Sequence, residues 1–120
     1  MFYNVIFWLD DIRDPALYRK INDAPWRDHS HDKVIWCHSV NEAIDAWLDL
    51  DGDDECIIQE INLDHDAGDF AFDGGDYIKF LDWLEEHKVD FTRFHWKIHS
   101  MNPVGIQNML VILRRNGVNC

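Results

Sequence analysis

The stretch Val5-Ile6-Phe7-Trp8-Leu9-Asp10-Asp11 decides the reading of this chain. Five apolar residues run without a polar break and then stop at two acids. A strand with one face in water alternates apolar and polar residues. A strand covered on both faces does not, and strands of that kind belong to parallel sheets flanked by helices. The expectation is a buried first strand whose carboxyl end delivers a pair of carboxylates to the edge of a sheet.

Working outward, residues 13 to 32 are weakly periodic, with a short helix expected near Ala16–Ile21. Val34–Cys37 reads as a second strand. Ser39 then stands as an N-cap, with Glu42 three residues on completing a capping box. The helix that follows sets Val40, Ala43, Ile44, Trp47 and Leu48 on one stripe. Asp51-Gly52-Asp53-Asp54 ends it as a plain turn, too short for a calcium-binding loop. Ile57–Leu63 is a third strand, again closed by acids, in Asp64-His65-Asp66. A loop with Gly68, Gly74 and Gly75 leads to a helix marked by Tyr77, Phe80, Leu81 and Leu84 and running to about Lys88. His95–His99 is a fourth strand. Asn102-Pro103 starts a last helix, Asn as cap and Pro in the first turn. Ile106, Met109, Leu110 and Leu113 form its apolar face, and Gly117 ends it. Strands alternating with helices imply parallel pairing and right-handed crossovers. The predicted fold class is α/β: a single domain over residues 1–120, a small doubly wound, flavodoxin-like parallel sheet of about four strands in the order 2-1-3-4.

Composition sets outer limits. With 120 residues, 47% of them hydrophobic, the chain builds one core and is not disordered. No apolar run approaches the ~20 residues that span a bilayer, and Met1-Phe2-Tyr3-Asn4 lacks the basic flank of a signal peptide. Three cysteines without metal-ligand spacing (Cys37, Cys56, Cys120) fit a reduced, cytoplasmic compartment. The net charge of −12 excludes binding to an extended nucleic-acid backbone. No Lys or Arg occurs between Lys33 and Lys79, a stretch that holds thirteen acids, most of them a solvated face. Phosphate chemistry here would therefore need a metal ion or a local cationic pocket. His29 and His31 fall in a polar loop, His87 and His95 at surface positions, and His38 after a strand. Most of the six tryptophans belong to the core or its margins, with Trp26, in the loop, open to stacking on a base.

In such sheets ligands bind beyond the carboxyl ends of the strands. Three strands here end in reactive residues: Asp10-Asp11, Asp64-His65-Asp66 and His99-Ser100. Carboxylates so close together repel one another unless a hard cation joins them, and Mg2+ keeps water ligands that leave room for a phosphate. Asp10, Asp11 and Asp64 are the metal candidates. The helix N-terminus after Ser100-Met101-Asn102-Pro103 favours an anion. Ser100 is placed to donate to the same oxygen, His99 to act as general acid or base, and Arg13 to clamp a phosphate with its fork. Each piece has a structural reading as well. Acids at strand ends cap turns, His99 reads as a hydrogen-bonded structural histidine, Arg13 as a partner of Asp14 or Asp66, and Asn102 as a helix cap first.

An acidic pair after the first strand, an Asp after the third and a hydroxyl residue after the fourth resemble a response-regulator receiver domain. The resemblance implies that Asp10, Asp11 and Asp64 hold Mg2+ and that Asp64 is the position at which receivers accept a phosphoryl group. Receivers carry a phosphate-binding Lys on a fifth strand, and this sequence ends before one, which reads as truncation. Three blocks go further: Leu9-Asp10-Asp11-Ile12-Arg13-Asp14-Pro15, Leu63-Asp64-His65-Asp66-Ala67-Gly68, and His99-Ser100-Met101-Asn102-Pro103-Val104-Gly105 followed by Asn108-Met109. These are similar to the cyclic-phosphate-processing receiver-like family of bacteria and phages, proposed to act on cyclic phosphates in RNA repair or nucleotide-based conflict.

The function expected from these residues is an Mg2+- or Mn2+-dependent phosphoesterase acting on a small cyclic phosphate, a nucleotide or an RNA 2′,3′-cyclic phosphate end. Asp10, Asp11 and Asp64 hold the metal, with Asp66 or His65 orienting it or positioning water. His99 acts as acid or base, and Ser100, Asn102 and Arg13 hold the phosphate. Two alternatives stand beside it: a receiver phosphorylated on Asp64, and a non-catalytic module that sequesters a cyclic nucleotide or binds a protein.

Overall fold

The computed structural model describes residues 2–18, 30–50 and 52–120. Its strands are β1 (Tyr3–Leu9), β2 (Asp32–Cys37), β3 (Cys56–Leu63) and β4 (His95–Ile98), and its helices α1 (Pro15–Tyr18), α2 (Val40–Leu50), α3 (Ile78–Glu86) and α4 (Pro103–Arg115). Short 3-10 turns precede α3 and β4. The strands form one sheet in the order β2-β1-β3-β4, parallel at every pairing, so the 2-1-3-4 order and the α/β class hold. The described part of the first helix is the single turn Pro15–Tyr18. Residues 19–21, Trp26 and His29 lie outside the described residues.

One face of the sheet carries the core. Val5, Phe7 and Leu9 of β1 and Ile61 and Leu63 of β3 pack against Val40, Ala43 and Trp47 of α2, Phe80, Leu81 and Leu84 of α3, and Met109, Ile112 and Leu113 of α4. The α2 stripe differs from its expected form at Leu48, which is 54% exposed. It lies one residue, about 100°, round the helix from buried Trp47, while Ala46 and Leu50 take up the margin of the core instead. On α4, Ile112 joins the expected face. The Ser39 cap forms by half a capping box: its Oγ accepts the Glu42 N–H at 3.1 Å, while the Glu42 carboxylate faces His38 at 3.5 Å.

A bulge in β3 matters for the site. Val5 pairs with Ile58, but Ile6 pairs with Glu60, so Gln59 is the extra residue. That one-residue insertion turns every later side chain of β3 to the opposite face. Ile61 and Leu63 thereby enter the core, and Glu60, Asn62 and Asp64 alternate onto the face of Trp8. The sheet bonds then continue one residue beyond the strands: Asp10 N–H donates to Cys37 O at 3.2 Å, Asp64 N–H to Leu9 O at 2.9 Å and His99 N–H to Leu63 O at 3.0 Å. Asp10, Asp64 and His99 are set in one row across the carboxyl edge. Among the described residues no helix is long and apolar enough to cross a membrane.

Candidate active site

Asp10 is the centre of the arrangement and is fully buried. Its Oδ1 accepts the backbone N–H groups of Ile12 (3.0 Å) and Arg13 (2.9 Å). Its Oδ2 accepts from Arg13 Nη1 (3.2 Å) and His99 Nε2 (2.8 Å). Burial on its own would raise this carboxyl. The His99 bond, the two backbone donors and the guanidinium outweigh it and hold Asp10 well below the usual carboxylate range. Two tryptophans fix the loop that presents it: Trp36 Nε1 donates to Asp10 O at 2.8 Å and Trp8 Nε1 to Arg13 O at 2.7 Å.

Asp64 is buried beside it. Its Oδ1 accepts the His65 N–H at 2.7 Å and its Oδ2 accepts Arg13 Nη1 at 3.0 Å. Arg13 thus bridges two carboxylates rather than pairing with Asp14 or Asp66, and its fork is turned inward. Asp11 completes the cluster, with one oxygen from each of the three acids within 4.8 Å of the others. Burial raises the Asp11 carboxyl, and the neighbouring charges of Asp10 and Asp64 raise it further. Gly68 makes room for this side chain. It adopts a φ of 55°, and a Cβ there would collide with Asp11 Oδ2.

His99 is held on three sides. Its Nε2 meets Asp10, its Nδ1 lies 2.6 Å from Asn62 Oδ1, and its ring stacks on Trp8 at 4.1 Å and 7°. Asn62 is oriented in turn, since its Nδ2 donates to Glu60 Oε2 at 3.2 Å. Both ring nitrogens are committed inside the protein, so a general acid or base free toward a substrate is not what this geometry supplies. Asn62, Glu60 and Trp8 are site residues that sequence reading passed over. The signal was the alternation Glu60-Asn62-Asp64 among Ile61 and Leu63 at the end of β3, which puts three polar groups on one face.

A second cluster adjoins the first. His65, Asp66 and Asp76 also bring ligand atoms within 4.8 Å of one another, and Asp66 belongs here rather than with the three acids. His65 Nδ1 lies 2.8 Å from Asp66 Oδ1. Asp76 Oδ1 accepts the Ala67 N–H at 3.0 Å. The His65 ring lies against Gly105 of α4, where any Cβ would strike it. Asn102 caps α4 through Oδ1 to the Gly105 N–H at 3.0 Å, and its Nδ2 reaches Asp66 Oδ1 at 3.3 Å. The His65 bond lowers the Asp66 carboxyl, and Asn102 adds to it. The anion beside the α4 N-terminus is therefore the chain's own Asp66, and Asn102 is engaged at both ends. Ser100 Oγ accepts the Asn102 N–H at 3.0 Å, which leaves its hydroxyl proton to donate elsewhere.

Residues 5–115 match the family model of the cyclic-phosphate processing Receiver domain, nearly the whole chain. No curated protein and no solved structure matches.

Proposed function

The chain belongs to the cyclic-phosphate processing receiver domain family, and from that premise we propose that it is a Mg2+- or Mn2+-dependent phosphoesterase. Its substrate would be a small cyclic phosphate, carried by a nucleotide or by an RNA end. The observation that carries this reading is the convergence of Asp10, Asp11 and Asp64 at the carboxyl edge, one oxygen from each within 4.8 Å of the others. Three hard oxygen donors suit Mg2+ or Mn2+ better than softer ions. Two of the three are buried, where mutual repulsion favours a shared cation. A bound divalent ion would polarise a phosphate oxygen and make a water molecule more acidic.

The remaining residues serve that centre in distinct ways. His99, fixed between Asn62 and Asp10, orients the Asp10 carboxylate. Asp66 orients His65 through Nδ1, which leaves Nε2 as the nitrogen to exchange a proton with water. Ser100 donates its hydroxyl proton to a phosphate oxygen. Asn102 acts through Asp66 and the α4 cap rather than on the substrate.

Phosphorus NMR of the protein with Mg2+ or Mn2+ and a panel of 2′,3′- and 3′,5′-cyclic phosphates tests the proposal beside Asp64→Asn. Conversion of one cyclic signal to a monoester, lost in the variant, is the expected result. With Mg2+ as the ion, broadening of a ligand signal by the protein without conversion would replace the enzyme with a sequestering module. A stable acyl-phosphate from a small phosphodonor, absent in Asp64→Asn, would replace it with a phospho-accepting receiver.

A further inference from the structure

Arg13 holds the two oxygens that a metal ion would need. Asp10 Oδ1 is occupied by two backbone N–H groups and Asp64 Oδ1 by the His65 N–H. The Oδ2 atoms are held by side chains instead: Arg13 Nη1 sits 3.2 Å from that of Asp10, which His99 Nε2 also meets at 2.8 Å, and 3.0 Å from that of Asp64. Mg2+ binds carboxylate oxygen at about 2.0–2.1 Å. An ion that close to both Oδ2 atoms would occupy the space of that nitrogen. The guanidinium and the ion exclude each other by volume as well as by charge.

The two side chains that meet Asp10 Oδ2 differ in freedom. His99 is anchored at both ring nitrogens and stacked on Trp8. The Arg13 side chain is 27% exposed and has a route to water. Its backbone stays in place, because Trp8 holds its carbonyl and Asp10 holds its N–H. Only the side chain is free to swing.

We infer that Arg13 is an exchangeable internal cation: a divalent ion displaces its guanidinium from Asp10 and Asp64, and the released fork then receives the phosphate of the substrate. This deepens the proposed function and rests on its metal reading. Metal and phosphate then bind in concert, since each favours the state with Arg13 swung out, and the coupling is reciprocal. The site also keeps its buried acids neutralised whenever no ion is present.

The test uses the full chain and Mn2+ alone, titrated by the loss of the free-ion electron paramagnetic resonance signal. Arg13→Gln removes the competing cation, so Mn2+ should bind about tenfold tighter than to wild type, the scale of one charge-assisted pair. Arg13→Lys, which keeps a charge without the fork, should fall between them. Equal or weaker Mn2+ binding by Arg13→Gln, with binding still abolished in Asp64→Asn, overturns the exchange and leaves the metal reading standing. No Mn2+ binding by wild type or Arg13→Gln overturns both. A calorimetric titration with inorganic phosphate supplies the second arm. With Mg2+ at saturation, wild type should bind phosphate about tenfold tighter than Arg13→Gln, and without Mg2+ the two should match. An equal advantage with and without the ion means that Arg13 never leaves for the ion, and overturns the proposal.

Discussion

Replacing Asn62 with Ala tests whether the line Glu60–Asn62–His99–Asp10 is built or incidental. Asn62 is 4% exposed, and among the described residues it is the partner that meets His99 Nδ1, at 2.6 Å. In the variant that N–H faces a small cavity. An unsatisfied buried donor costs about 1–3 kcal/mol. The His99 side chain is 19% exposed, so water reaches part of the ring and the lower half of that range applies. Lost packing of the amide adds a similar amount. The sum is about 2 kcal/mol, or a Tm lower by roughly 8 °C for a domain of this size. Urea unfolding should show an earlier midpoint at an unchanged slope. In a double-mutant cycle with His99→Ala, the two losses should fall short of additivity by about 1 kcal/mol, because each variant removes the same bond. A loss below about 0.5 kcal/mol, additive with His99→Ala, would refute the idea that Asn62 positions the histidine.

Other outcomes follow from single contacts. Gly105→Ala should gain about 0.5–1 kcal/mol of helix propensity, yet its Cβ meets the His65 ring. We expect no net rise in Tm and displaced His65 imidazole resonances, and a stabilised variant with unmoved His65 signals would contradict this packing. Burial pushes the buried Cys37 thiol up to about 12, with the Glu42 charge adding to it, while Cys120 is exposed. Maleimide followed by mass spectrometry should label Cys120 first and Cys37 only on unfolding; prompt native labelling of Cys37 would count against this core. Asp73 is held below the usual carboxylate range by Ser39 Oγ at 2.6 Å and by Asn41. A depressed carboxyl contributes stability that is present above its ordinary value and lost as pH falls through the folded one. Tm should therefore hold between about pH 5 and 7, decline below about pH 4, and decline less in Asp73→Asn; an identical acid limb in the variant would disprove the contribution.

The fold was legible because its signals are local. An unbroken apolar run closed by acids, a cap followed by proline and a second strand closed by acids at Ile57–Leu63 each name an element and its direction. Parallel pairing then fixes which ends meet. The row Asp10, Asp64, His99 was legible for the same reason. What was hidden depended on tertiary contact. The inward turn of Arg13 needs Trp8 to hold its carbonyl, and Trp8 is an ordinary core residue in sequence. The contact of Asp66 with the α4 cap needs Asn102 to reach across the edge with the amide end its cap does not use. The bulge at Gln59 is a matter of register, which spacing along one strand does not disclose. It leaves a trace only in the change from Ile58 to Ile61 and Leu63, three residues and then two.

The partners of the buried acids come from where the charge distribution allows. From residue 34 to residue 78 there is no Lys or Arg, and Asp64 lies in that stretch among thirteen acids. A positive partner for Asp64 must therefore be brought by the fold from another segment. The parallel order β2-β1-β3-β4 puts β3 between β1 and β4, so the loop after β1 and the end of β4 adjoin it at this edge. Arg13 comes from the first and His99 from the second, and both meet Asp10. Because Arg13 stands on the same loop as two of the three acids, its guanidinium is within reach of the proposed metal position and of the open edge beyond it. A cation placed so can leave the carboxylates when an ion arrives and still remain close enough to take hold of a phosphate.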